Sequence, residues 1–496
     1  MIKLFGGGAD HPMRNPKEAK RILDALPADD VKALEELSHW LESVSTVEGF
    51  KPQERAALLI SVDDAAQPRQ RKLSRDYAAT ARPSKYLENR LWTQLHEYWK
   101  QAALAFGRML DAAAQPKSLD PKTLALVATR AMRAAAQQVK WQHMRYGPFD
   151  PAVWGMLNKV YAFCEARGFA EASLVPYPSG SESSPRLEFV KALMFNASSP
   201  DSLLATEVDL AERVIAELAP GFAIGNAPAA GLIYWTDLAR AMAPLRIVKP
   251  PEASAGLRCF GPGSALANLQ EFVQKVETTR DLPASLGTTK DPEAALDVLR
   301  HLAMLWSPEP PERRHARHSV KSRLTIAHGF SGVIEALDAS ASLDFDLKAV
   351  ESWVVENVSA GGFGAIVPQA KSDWLRVGAL LAMQPDGGNN WLVGAIRRVN
   401  RTSAQEARVG IETLSRSPQV MKFRVRGLGE ETGILLPAAV LGSGEVAIAL
   451  RSGVYPPGQN LEASVGDKEH VYMPQGGAER SEDYELVRFR EMVRES

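Results

Sequence analysis

The chain has 496 residues, enough for about three domains. Hydrophobic residues make up 45% and charged residues 24%, the balance of an ordinary folded protein, which excludes a disordered chain. Lys+Arg number 58 against 59 Asp+Glu, so no net field draws the whole molecule to nucleic acid or an anionic membrane.

Only two cysteines occur, Cys164 and Cys259. They exclude a disulfide framework and any Cys-rich metal site, and they suit a reducing compartment. The longest apolar runs, such as Gly433–Gly442, reach about ten residues, short of the roughly 18–20 needed to span a bilayer. The first residues lack the apolar core of a secretory signal. A cytoplasmic, multidomain protein is expected.

The chain starts helical. Short helices are predicted over about 17–26 and 28–44. Leu87, Leu91, Leu95, Tyr98/Trp99, Ala102, Phe106 and Met109/Leu110 recur every three or four residues and predict a long amphipathic helix over about 84–112. Asp120-Pro121, Asp150-Pro151 and Asp291-Pro292 announce three more helix starts. The aspartate accepts from free N–H groups of the first turn, and the proline gives up an N–H that would be unpaired anyway. Gly147 and Gly168 stand where the first two of these should stop. Between about 219 and 262 short apolar runs amid Pro and Gly predict small strands or irregular packing.

The composition changes at Ser307-Pro-Glu-Pro-Pro311, an extended linker. Beyond it come short runs rich in Val, Ile, Leu and Trp, at about 319–328, 351–358, 363–368, 378–384, 391–400 and 407–413. Their spacing predicts an antiparallel barrel. Asp386-Gly387-Gly388-Asn389 is a hairpin turn, because its residues tolerate positive φ. The fold class expected is multidomain α+β. A mostly helical N-terminal region covers 1–306, open to division at 219–262, and a Pro-rich linker 307–312. An antiparallel barrel follows over 313–417, with a β-rich region over 418–496.

Charge is uneven. Glu309–Arg323 holds five basic residues against two acidic ones, and Ala395–Arg426 holds eight against two. Either run alone would be a solvated face. The first, however, contains Arg313-Arg-His-Ala-Arg317, and forty residues later comes Asn357-Val-Ser359-Ala-Gly-Gly362 behind the apolar Trp353-Val-Val. Together these resemble the PilZ domain, whose signature is Arg-x-x-x-Arg followed by Asp/Asn-x-Ser-x-x-Gly. Val377-Gly378, Trp391-x-x-Gly394-x-x-Arg397-Arg398 and Val409-Gly410-Ile411-Glu412 extend the likeness, which covers about 308–417. The gap between the two motifs is longer than the family leads one to expect. An insertion at about 329–350, placed to shade part of the site, accounts for it.

The resemblance implies a cyclic-di-GMP receptor module. Its ligand would be held by Arg313, Arg317, Asn357, Ser359 and Gly362, with Arg314 beside them. The chemistry fits independently: the arginine fork binds phosphate bidentately, takes guanine O6/N7, or stacks on a purine face. Asn357 offers a carboxamide to guanine, Ser359 a hydroxyl to phosphate, and Gly362 a close approach of backbone. Without the arginines, Asn-x-Ser-x-x-Gly would be a plain turn.

No catalytic constellation, metal ligand set or cofactor motif accompanies this site. Gly6-Gly-Gly8 lacks a Gly-Lys-Ser/Thr continuation, and Gly427–Gly433 has the wrong spacing for a dinucleotide fingerprint. Cys164 reads as a core residue. Glu335-Ala336-Leu337 matches a phosphodiesterase tripeptide without that family's metal ligands. The expectation is therefore a receptor rather than an enzyme. Its helical region would dock a protein partner, and the family implies control of bacterial motility, pili or surface attachment. Two other classes fit parts of the pattern. One is a scaffold whose barrel has lost its ligand. The other is a single-stranded nucleic-acid binder using strands 395–426, where Phe423 is the one aromatic.

Overall fold

The computed structural model describes residues 9–78, 84–113, 118–287, 291–310, 312, 315–339, 350–368, 374–425, 427, 429–437, 445–466 and 468–494. The chain divides into two compact units, one formed by 1–145, 149–200 and 205–311, the other by 146–148, 201–204 and 312–496.

The first unit opens with eight helices: α1 (Pro16–Asp24), α2 (Asp30–Thr46), α3 (Pro52–Ala78), α4 (Lys85–Ala112), α5 (Pro121–His143), α6 (Pro151–Ala166), α7 (Pro185–Ala197) and α8 (Ala205–Leu218). All three predicted Asp-Pro starts are present: Asp120, Asp150 and Asp291 each accept a first-turn N–H. At Asp120 the Thr123 hydroxyl and N–H together pull the carboxyl down to about 2. Asn15-Pro16 and Ser184-Pro185 start α1 and α7 by the same chemistry. The long helix α4 buries the predicted stripe Leu91, Leu95, Tyr98, Trp99, Ala102 and Phe106.

Helix α5 is central, burying alanines together with Val127, Met132, Val139 and Trp141. It also carries Arg130, only 2% exposed, whose guanidinium meets Asp63 at 2.9 Å and Asp64 at 2.7 Å. Cys164 and Cys259 are fully buried, and burial pushes the Cys164 thiol up to about 12. Neither thiol is expected to react with a disulfide reagent at pH 8 until the protein is denatured. Fast labelling of native protein would contradict this packing.

The stretch 219–262 forms strands β1 (Ala223–Gly225), β2 (Tyr234–Asp237), β3 (Leu245–Arg246) and β4 (Leu257–Gly261), an antiparallel sheet in the order β1-β4-β2-β3. Helices α9 (Ala265–Thr279) and α10 (Pro292–Trp306) complete the unit. Arg246 donates to the carbonyls of Leu305, Ser307 and Pro308 and so holds the chain as it enters the proline-rich stretch.

The second unit contains two closed six-stranded antiparallel barrels. Strand β5 (His318–His328) is followed by α11 (Gly329–Ala339), then β6 (Glu351–Ser359), β7 (Gly362–Pro368), β8 (Leu380–Pro385), β9 (Leu392–Arg401) and β10 (Glu406–Ser415). These six strands match the six predicted runs and close in the order β10-β7-β6-β5-β8-β9. Their core holds Leu324, Trp353, Val355, Val367, Ile396 and Ile411, with Tyr146 from the short 146–148 segment.

The second barrel comprises β11 (Gln419–Val425), β12 (Gly429–Pro437), β13 (Glu445–Arg451), β14 (Leu461–Val465), β15 (Lys468–Arg480) and β16 (Tyr484–Arg494), in the order β11-β12-β13-β16-β15-β14. Phe423, Ile448, Tyr472 and Phe489 fill it.

A third apolar cluster joins the barrels. It combines Leu380, Ala382 and Val393 of the first, Ile434, Leu436 and Leu486 of the second, and Phe330, Val333 and Ala336 of α11. The described part of the expected insertion is therefore spent on this junction, and residues 340–349 lie outside the described ones. Ala336, the middle of the Glu335-Ala-Leu337 tripeptide, is a packing residue there. Among the described residues, no helix is long and apolar enough to cross a membrane, and no group of three or more His, Cys, Asp or Glu could hold a metal.

Candidate functional site

The Asn-x-Ser-x-x-Gly segment lies where β6 turns into β7. Trp353 and Val355 point into the barrel. An irregularity between Val355 and Asn357 shifts the alternation, and Asn357 then stands opposite Gly364. Ala365 is buried inside, so its neighbour Gly364 faces outward, and Asn357 with it. A Cβ on Gly364 would come within 2.6 Å of the Asn357 amide nitrogen, so the carboxamide lies directly over this glycine. It makes no hydrogen bond with a described residue.

The turn itself is held from behind. Gly362 has φ +156°, and a Cβ there would run into the Ile411 carbonyl oxygen of β10, so only glycine fits. The Gly361 carbonyl accepts from the Thr413 N–H at 2.9 Å, and the Ala360 carbonyl accepts from the Arg416 guanidinium at 2.9 Å. The Ser359 hydroxyl reaches the Gly362 carbonyl only at 3.4 Å, a long bond that a better acceptor can replace.

The arginine motif approaches the same turn. Arg313 and Arg314 lie outside the described residues. Between them and Arg317, His315 is exposed, yet its imidazole sits against Gly361, 3.0 Å from where a Cβ would stand. Arg317 is exposed and makes no hydrogen bond or ion pair with a described residue. It immediately precedes His318, which β5 pairs opposite Val358. The geometry therefore gathers Asn357, Ser359, Gly362 and His315 at one outer edge of the first barrel, with Arg317 at the adjoining strand end.

Residues 17–229 match the family model described as the N-terminal domain of the cyclic-di-GMP receptor FimW, and residues 343–419 match that receptor's middle PilZ domain. The chain belongs to the cyclic-di-GMP receptor FimW family. It is accordingly a cyclic-di-GMP receptor with a PilZ domain, and the family model covers residues 17–229 of the helical region that motif reading left unassigned. The FimW match includes Asn357, Ser359 and Gly362, whereas Arg313, Arg314 and Arg317 precede it. No curated protein matches the chain.

Two things escaped motif reading. Arg416 was counted only in a basic run, although it clasps the turn through the Ala360 carbonyl. Gly364 and Gly410 were seen as pattern residues, and only the register shows them side by side on one outer face. Phe423, the aromatic that a single-strand reader would need on the basic segment, is fully buried against Tyr472 in the second barrel.

Proposed function

We propose that cyclic-di-GMP binds on the Asn357–Gly362 turn under a clasp formed by Arg313 and Arg317, with Arg314 adding positive charge. Asn357 takes guanine polar atoms, Ser359 a phosphate, and the glycines let the rings approach the backbone. The observation that carries this reading is His315. It lies between the two motif arginines, and its ring already rests on Gly361 of the turn. Arg313 and Arg317 lie two residues to either side of it in the sequence, and Arg317 is exposed at the adjoining strand end.

The ligand's effect follows from the position of the clasp. Ordering 313–317 over the ligand fixes the path of the chain leaving the proline-rich stretch, and ligand shifts that equilibrium only by its differential affinity for the closed arrangement. The helical region, reoriented in this way, engages a protein partner in the cytoplasm and so controls motility, pili or surface attachment. The protein acts as an effector and catalyses no reaction.

Calorimetric titration of the full chain with cyclic-di-GMP, against GMP and GTP controls, tests the binding. Hydrogen exchange tests the switch: on saturation, protection is expected at 313–317 and 357–362 and also around 292–311. Replacing 307–311 with a long Gly/Ser linker is expected to keep affinity and abolish the ligand-dependent change in small-angle scattering. Binding without any response upstream of 311 would leave a receptor that lacks this switch.

A further inference from the structure

The second barrel repeats the connectivity of the first. Numbered within each barrel, strand 1 pairs with 2 and 4, strand 3 with 2 and 6, and strand 5 with 4 and 6, all antiparallel. In the first barrel the arginine motif precedes strand 1, and the Asn-x-Ser-x-x-Gly turn joins strands 2 and 3. In the second, strands 2 and 3 are joined by Ala438-Ala-Val-Leu-Gly-Ser-Gly444, which contains neither Asn nor Asp. The turn motif is missing, yet an arginine still stands just ahead of strand 1. It is Arg416, in the short connection 416–418 between β10 and β11.

Arg416 is directed at the turn of the other barrel. Its Nη2 donates to the Ala360 carbonyl at 2.9 Å, one residue from Ser359. The chain on either side fixes it there. Ser415 is only 2% exposed, and its hydroxyl donates to the Pro437 carbonyl of β12 at 2.9 Å. The Ser417 N–H donates in turn to the Ser415 hydroxyl at 3.3 Å. The pairing of β10 with β9 is irregular between Thr413 and Ser415, and an irregularity at a barrel rim re-aims the side chains beside it.

Strands β5 and β10 stand on opposite sides of the first barrel. Their two approaches nevertheless converge at its end, on consecutive residues of one turn: Arg416 on Ala360, and His315 against Gly361. The Arg416 side chain is exposed and forms no ion pair with a described acid. The Ala360 carbonyl occupies one of its N–H groups and neutralises none of its charge, so the rest of the fork is left to an anion.

We infer that Arg416 is a third ligand arginine, held ready on the turn by the second barrel, and that it takes the phosphate beside Ser359. This rests on the reading above, in which Ser359 meets a phosphate of cyclic-di-GMP. Because the connection 416–418 is already fixed, binding pays little to order this arginine. The second barrel, which has no ligand turn of its own, serves the first by presenting it.

The test is calorimetry of the full chain with cyclic-di-GMP at two salt concentrations. Arg416→Ala is expected to keep the unfolding midpoint and to weaken binding by about 10-fold or more. It should also make the affinity less dependent on salt, because one contact between a charge and a phosphate is gone. Arg416→Lys is expected to restore the salt dependence and only part of the affinity. Combining Arg416→Ala with Ser359→Ala is expected to cost less than the product of the two single fold-changes, since both residues meet one phosphate. Weaker binding with unchanged salt dependence would mean that Arg416 only braces the turn, and would overturn the phosphate contact. Unchanged affinity in Arg416→Ala, with Ser359→Ala and Asn357→Ala still impaired, would overturn it too and leave the turn site standing. If Ser359→Ala and Asn357→Ala also bind normally, the turn site itself is wrong.

Discussion

Arg313→Ala and Arg317→Ala are each expected to lower the affinity for cyclic-di-GMP by about 10–100-fold, from the loss of charge-assisted bonds worth roughly 1.5–3 kcal/mol. Arg317 is solvent-exposed at the start of β5 and holds no described partner, so its removal leaves no buried group unpaired. Unfolding should accordingly be unchanged, which separates a binding defect from a folding one. Arg313→Lys should also weaken binding, since an ammonium is a point charge that reproduces neither the bidentate fork nor stacking on a purine. Affinity measured by calorimetry and stability by denaturant titration decide the matter. If both alanine variants bind as the parent does, the clasp is misassigned.

Arg130→Ala is expected to cost about 3–5 kcal/mol of stability, the largest effect of any single substitution considered. The guanidinium is buried on α5 and pairs with Asp63 and Asp64. It also donates to the carbonyls of Pro176 at 2.9 Å and Ile60 at 3.2 Å, and lies 4.4 Å from the centre of the Tyr177 ring. Asp63 is wholly buried and also accepts from the Tyr98 hydroxyl and from Gln67. Removing the arginine leaves that carboxylate in an apolar bundle with too few donors, and the penalty is the desolvation of an uncompensated charge. Denaturant unfolding followed by far-ultraviolet dichroism should show the helical transition move to lower denaturant. Combining Arg130→Ala with Asp63→Leu should cost less than the sum of the two single changes, because the orphaned charge is gone. Additive costs, or a single-variant loss under about 1 kcal/mol, would mean that the network does not hold the bundle together.

How far the chain could be read in advance depended on the range of the forces involved. Helix α4 was legible because its apolar stripe repeats at the helical period over seven turns, and the Asp-Pro starts because capping is settled within four residues. Helix α3 was missed. Pro68 sits inside it and removes a backbone donor, yet Leu58, Leu59, Val62 and Ala66 are buried against neighbouring helices, and that packing outweighs the local penalty. All six strands of the first barrel could be placed from runs of Val, Ile and Trp and the glycines between them. The closure of 418–496 into a second barrel could not, because closing requires β11 to find β14 across two intervening strands of chain.

The same division holds at the site. By itself the sequence determined the residue types that mark a PilZ domain: an arginine pair and an Asn-x-Ser-x-x-Gly turn. Those are short motifs whose meaning lies in residue type and spacing. Tertiary structure alone decided what surrounds that turn. It brought His315 onto Gly361, aimed Arg416 at the Ala360 carbonyl, and set Gly364 beside Gly410. These neighbours come from the chain before β5, from β7 and from β10 and the residue after it, and their proximity is a matter of register. Register follows from which faces the whole barrel buries, a long-range property no local stretch of chain contains.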